Sequence, residues 1–351
     1  MMKFPLADWI DEHRGCRHDL GTSGMRGSIR HPTPSAAEVR SADAGAVRRA
    51  FAESLDVDPS RVFLTHGASE GNAAVLWFLA HRYRGRRLRC RVRYPEYPPL
   101  FHVARWAGFE LTDLRDPVTV AVVSRPRNPE GDLWGRDRLE AWAGRTRSLL
   151  VDETFREFAN RPSVGRDQRP GVWATGTLTK FFAADEVRVG FVVAPEEERS
   201  SYERFHGLVF DEVSPTSLAG ALVTLRARER IRREVRRVLA RNRTAFGKAF
   251  PRTRLPRAPV FFDRDVVPDG DSFAKRCLNA SVLVCPGSFF GDPSGVRLGL
   301  TRRSFPQDLA AYLRVREESH GERATPVRDR SAIRGARPRR AGIGPGRVGR
   351  G

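Results

Sequence analysis

Of the 62 basic residues in this 351-residue chain only four are lysines, Lys3, Lys180, Lys248 and Lys275, so chemistry that needs a primary amine has few places to occur. Lys180 stands apart from the other three. It lies in the short, nearly uncharged window Ala174-Thr175-Gly176-Thr177-Leu178-Thr179-Lys180-Phe181-Phe182, with Arg188 eight residues on. Apolar neighbours depress an amine's pKa, while nearby hydroxyls and an arginine hold an anion, a combination suited to a lysine kept as an imine with an aldehyde. A second candidate is Asp152, which ends the apolar run Leu149-Leu150-Val151. A carboxylate at the end of a buried strand is costly unless a cationic donor meets it. A third is Thr65-His66-Gly67-Ala68-Ser69-Glu70, a Gly-containing turn between a strand and a helix, where backbone N–H groups and the helix dipole favour a phosphate.

Taken together and in their order along the chain, these stretches resemble the class I/II, fold-type I, pyridoxal-phosphate (PLP) aminotransferases. The family pattern Ser/Thr-x-Ser/Thr-Lys, an Arg eight positions later and then a small residue is matched by Thr177, Thr179, Lys180, Arg188 and Gly190. The resemblance implies that Lys180 carries PLP as a Schiff base and acts as the base, with Asp152 on the ring nitrogen and Tyr97 stacked on the ring. It implies Asn128, in Arg125-Pro126-Arg127-Asn128-Pro129-Glu130-Gly131, on the cofactor's phenolic oxygen. Ala68, Ser69, Thr177, Thr179 and Arg188 would hold the phosphate. Arg297, in Gly295-Val296-Arg297-Leu298-Gly299-Leu300, would receive the substrate carboxylate, with Gly24 and Asn128 on the substrate side. Phe155 departs from the pattern, which usually has Tyr there, and no tyrosine lies between Ser28 and Gly45, where the neighbouring subunit commonly supplies one.

The elements that must place these residues are legible as alternating strands and helices from Val62 to Val193. They predict an α/β fold with a doubly wound, mostly parallel sheet and ligands at the strands' carboxyl ends. A long helix is expected from Pro215 past Arg236, then a smaller α+β unit with a final helix from Pro306 to about Glu317. The expected organisation is an N-terminal segment (1–40) belonging to the small unit or a substrate loop, a large cofactor-binding domain (41–245), a small domain (246–318) and a basic Gly/Pro/Arg-rich tail (319–351) expected to be disordered.

Composition bounds the rest. Hydrophobic residues make up 40% of the chain, ordinary for a globular protein. Cys16, Cys90, Cys277 and Cys285 lack metal-type spacing and read as free thiols, and no metal site is expected. Without a membrane-length apolar run or a signal-peptide core, the protein is expected to be cytoplasmic and to have no membrane partner. The net charge of +20 is concentrated in part in the tail, with nine arginines against Glu322 and Asp329. The rest reads as arginine bias on solvated helix faces rather than as a nucleic-acid site. The resemblance implies a homodimer exchanging an amino group between an α-amino acid and a 2-oxo acid. The alternatives are a fold-type I decarboxylase or lyase, threonine-phosphate-decarboxylase-like, and a non-catalytic basic binding protein on the same scaffold.

Overall fold

Strands buried on both faces read as continuous apolar runs, and a parallel sheet covered by helices on each side is the structure that accommodates them. The computed structural model describes residues 5–113, 118–144 and 146–324, the side chains of 322–324 excepted. A two-residue strand, β1 (His18–Asp19), precedes the main sheet. That sheet consists of β2 (Val62–Thr65), β3 (Arg89–Arg91), β4 (Glu110–Thr112), β5 (Val120–Ser124), β6 (Ser148–Asp152), β7 (Val172–Thr177) and β8 (Gly190–Val193), in the order β2-β8-β7-β6-β5-β3-β4. Six strands share one direction and β8 runs against its neighbours β2 and β7. This is the mostly parallel α/β sheet that the alternation of strands and helices predicts.

Successive residues of the central strands point into opposite layers. Phe63, Trp173 and Val192 pack with Phe78, Leu79 and Tyr202 on one face. Val62, Leu64, Ala174, Phe191 and Val193 pack with Phe51, Leu218 and Leu225 on the other. The expected single helix beyond Pro215 is instead two, Pro215–Arg226 and Arg228–Ala249, meeting at Ala227. The first packs its apolar Leu218, Ala221 and Leu225 on the sheet. The second is Arg-rich, turning Ile231, Val235 and Leu239 to that core and Phe246 to a separate one.

The second core is built from β9 (Val260–Asp263), β10 (Val282–Leu283), β11 (Cys285–Pro286) and β12 (Val296–Gly299). β12 lies between β11 and β9 in an antiparallel sheet, while β10 pairs with β1 in parallel, so the N-terminal segment joins this smaller unit. Phe246, Phe273, Phe305 and Tyr312 fill it, and the Tyr312 hydroxyl donates to the buried Asp263 carboxylate at 2.7 Å. The last helix, Phe305–Ala324, runs well past Glu317. The helix thus includes residues 319–324 of the segment expected as a tail, and residues 325–351 lie outside the described residues. Among the described residues no helix is long and apolar enough to cross a membrane.

Candidate active site

Ser124 and Asp152, the last residues of β5 and β6, are in register with Thr175, two residues before the end of β7. Because these strands are parallel, the three side chains lie together at the carboxyl edge, where helix N-termini also converge. Asp152 is 2% exposed. Its Oδ1 accepts the Thr154 N–H at 2.9 Å and its Oδ2 accepts the Asn72 side-chain amide at 2.9 Å. Asn72 is held in turn by Thr175, whose hydroxyl donates to Asn72 Oδ1 at 2.6 Å. Burial pushes the Asp152 carboxyl above the ordinary carboxylate range, and these hydrogen bonds and the Lys180 charge oppose the shift. A carboxylate so placed gains most from a cationic N–H donor in the cleft.

Lys180 follows β7 in the turn that leads back to β8. Burial lowers its pKa, an effect opposed by Asp185 and Asp152 and reinforced by Arg297 and Arg188. The amine is thereby kept more readily neutral and nucleophilic than an exposed lysine. Its carbonyl accepts the Met25 N–H at 2.8 Å, which brings the N-terminal segment against it. A Cβ at Gly24 would lie 3.4 Å from Lys180 Cδ, so the backbone there forms a floor under the lysine chain.

The helix Ala68–Arg82 starts at Gly67, with φ 102° and no side-chain cap, leaving its first amides without the usual internal acceptor. Gly190 lets this turn come close to the sheet, since a Cβ there would stand 2.6 Å from the Gly67 carbonyl carbon. Thr177 Oγ1 lies 3.8 Å from the position a Cβ on Gly67 would take and accepts the Thr179 N–H at 3.2 Å. The Thr177 and Thr179 hydroxyls are 3.3 Å apart. Uncapped helix amides of Ala68 and Ser69 beside two hydroxyls form a cradle for a phosphate-sized anion. Arg188 is exposed, in left-handed backbone at φ 54°, next to β8. His66 Nδ1 lies 3.0 Å from Glu70 Oε2.

Tyr97, Asn128, Asp152, Lys180 and Arg297 line one cleft. Phe155 lines it as well, 4% exposed and edge-on to Phe158, so it belongs both to the core and to the cleft wall. Arg297 is 2% exposed on β12. Its Nη2 donates to the Gly21 carbonyl at 2.6 Å and its Nη1 to Asn128 Oδ1 at 3.4 Å. Its guanidinium sits 5.1 Å from the Phe290 ring centre, and Cys285 Sγ is 3.2 Å from Nη2. Nε is buried without an acceptor among the described residues. A guanidinium lining a cleft is a place for a ligand carboxylate. This donor set fits PLP: a depressed-pKa lysine for its aldehyde, a buried carboxylate for its ring nitrogen and an anion cradle for its phosphate. Among the described residues no cluster of His, Cys, Asp or Glu is placed to hold a metal ion.

Glu96 and Arg127 form a buried ion pair behind the cleft that motif reading misses. Glu96 Oε1 accepts the Tyr97 N–H at 2.7 Å and the Ser124 hydroxyl at 2.5 Å; Oε2 accepts the Ser124 N–H at 3.1 Å and Arg127 Nη1 at 2.6 Å. Ser124 Oγ then accepts the Asn128 N–H at 2.8 Å. One carboxylate thus holds the backbones of both Tyr97 and Asn128. Glu96→Gln presents an amide to two of those donors, leaving them unsatisfied, and is expected to cost about 1 to 3 kcal/mol of stability and to weaken cofactor binding. Thermal melts and cofactor titration check this; an unchanged melting temperature with unchanged affinity rules it out.

The family model "Aminotransferase class I and II" matches residues 32–304 of this chain. The chain is 29% identical to capreomycidine synthase of Streptomyces vinaceus over 88% of its length and 92% of that protein's. It is 27% identical to threonine-phosphate decarboxylase of Pseudomonas aeruginosa, covering 89% and 91%. Among solved structures, a PLP-dependent aminotransferase from Streptococcus suis 89-1591 superposes with a TM-score of 0.73 over 90% of this chain and 98% of that one, at 17% identity, a likeness of fold.

Proposed function

We propose, from the premise that this chain belongs to the class I and II aminotransferase family and is a PLP-dependent enzyme, that it transfers an amino group between an α-amino acid and a 2-oxo acid. The observation that carries the reading is the single cleft lined by both Lys180 and Arg297. In this assignment PLP, bound through Lys180, supplies an electron sink that stabilises negative charge at the substrate Cα. Asp152 keeps its carboxylate on the ring nitrogen, held in place by Asn72 and Thr154. Tyr97 and Asn128 fix the ring, while Ala68, Ser69, Thr177, Thr179 and Arg188 receive the phosphate. Arg297 clasps the substrate carboxylate, steadied by Gly21 and Asn128, with Gly24 beside the substrate. Lys180 Nζ, once free, would take the proton from the substrate Cα and deliver it to the cofactor carbon that carried the aldehyde. A carboxylate clasped at Arg297 is retained, which favours proton removal over decarboxylation.

Residues 41–245 carry the cofactor in this reading. The smaller unit, 246–318 with the N-terminal segment 1–40, carries the carboxylate site, and the working form is a homodimer. The purified protein should show a visible absorbance band and convert amino donors to 2-oxo acids when a 2-oxo acid acceptor is present. Carbon dioxide release without 2-oxo acid formation would identify a decarboxylase, in keeping with the threonine-phosphate decarboxylase relative. No visible band and no turnover would leave the non-catalytic reading.

A further inference from the structure

A second cavity, of about 570 Å³, lies where loops of the main sheet meet the chain that enters the smaller unit. It takes Arg125, Glu130 and Asp132 from the turn after β5 and Arg161 from the loop after the helix Arg156–Ala159. Arg254 and Arg257 come from the link between the helix Arg228–Ala249 and β9. Backbone fastens the two sides together: the Gly131 carbonyl accepts the N–H groups of Arg257 at 2.8 Å and Ala258 at 3.1 Å. The same turn sends Pro126 and Asn128 into the catalytic cleft.

The charges of this cavity do not cancel. Glu130 is taken by Arg127 and Arg264, each at 3.3 Å, and Asp132 by Arg138 at 3.5 Å and the Trp134 indole N–H at 2.9 Å. Arg136, also in the lining, pairs with Asp167. Arg125 donates to the Trp134 carbonyl at 3.1 Å and meets Glu153 at 3.9 Å. Arg161, Arg254 and Arg257 are exposed, and among the described residues their guanidiniums have neither an ion pair nor a hydrogen bond. Burial, and after it the charges of Arg161 and Arg136, lower the Arg125 pKa against the pull of Glu153 and Asp167, so guanidiniums here repel one another. A multiply charged anion relieves such repulsion, and the planar guanidinium fork matches phosphate oxygens in pairs. A lone phosphate or carboxylate leaves part of the charge uncompensated, whereas two linked phosphates reach arginines on both sides, and the volume is that of a small-molecule site. We propose that this cavity binds a small anion with two adjacent phosphate groups, clamping the link at residues 253–257 and the loop at Arg161 to the turn at Arg125. Inorganic pyrophosphate and the diphosphate end of a nucleotide share this chemistry, and the inference is independent of the reaction performed in the catalytic cleft.

The test uses the PLP-loaded enzyme, so that the phosphate cradle of the catalytic site is filled. Pyrophosphate, ADP, inorganic phosphate and adenosine are titrated by calorimetry, with visible absorbance and thermal melts recorded alongside. Pyrophosphate is expected to bind once per chain, at least about 10-fold more tightly than inorganic phosphate, with the visible absorbance unchanged. At a concentration about 100 times its Kd it should raise the melting temperature by about 2 to 6 °C. Adenosine is expected not to bind; ADP weaker than pyrophosphate identifies the inorganic anion as the ligand and ADP tighter a nucleotide, and both sustain the inference. Arg254→Glu with Arg257→Glu, both on exposed side chains, is expected to weaken pyrophosphate binding by about 100-fold or more, and Arg161→Glu by about 10-fold. Arg105→Glu with Arg204→Glu makes the same change of charge on helices that cover the other face of the main sheet and should weaken it by no more than about 3-fold. Pyrophosphate bound no more tightly than inorganic phosphate overturns the inference, as does an equal loss in the two double variants, which would be general attraction to a basic protein. A titration that shifts the visible absorbance and survives Arg254→Glu with Arg257→Glu places the anion in the catalytic cleft and overturns it too.

Discussion

Lys180→Ala abolishes covalent attachment of the cofactor and lowers turnover by at least about 10⁴-fold, because the same amine is asked to be both anchor and base. The other described lysines, Lys248 and Lys275, are exposed on helices and do not line the cleft. The phosphate cradle does not involve the lysine side chain, so the variant should still bind PLP non-covalently, with the absorbance of the free aldehyde. Borohydride reduction and peptide mapping of the unaltered protein should place the pyridoxyl label on Lys180. A label on Lys248 or Lys275 would falsify the central assignment.

The next largest effect is expected at Asp152. Asp152→Asn replaces a buried negative charge by a neutral group of the same shape, and kcat should fall by about two to four orders of magnitude, the equivalent of about 3 to 5 kcal/mol for breaking a buried charge pair. A distinct readout comes from the cofactor-free protein. Burial raises the folded-state pKa of Asp152 above its unfolded value, so the folded state holds the proton more tightly. Its contribution is fully present below the unfolded pKa of about 3.9 and is lost as pH rises through the raised folded pKa. The stability difference between the Asn variant and the original apoprotein should therefore shift in the variant's favour across that window. With PLP bound, the ring N–H partners the carboxylate and the shift should shrink. A pH-independent difference in both forms would show that Asp152 is not held in the cleft as described.

What the sequence by itself determined is the set of groups whose meaning is local: a lysine among hydroxyls, a glycine turn between strand and helix, an aspartate at the end of an apolar run. Strand periodicity then put them at the carboxyl ends of a mostly parallel sheet, and Lys180, Asp152, Tyr97, Asn128 and Arg297 do meet in one cleft. Tertiary structure decided the partners that hold them. Asn72 reaches Asp152 across 80 residues of sequence, and Glu96 reaches Ser124 across 28. Side chains that pair only after strands align carry no periodic signal of their own. Tertiary structure also made β8 antiparallel to both of its neighbours, β2 and β7. It split the helix at Ala227, with one part packed on the main sheet and the other reaching the smaller unit's core. It set the helix Pro5–Glu12 over the cleft, where eight amphipathic residues alone say only that one side is buried. Which surface that side covers depends on Val284 and Phe289, more than 270 residues away, because burial is a property of the assembled contacts and not of the segment.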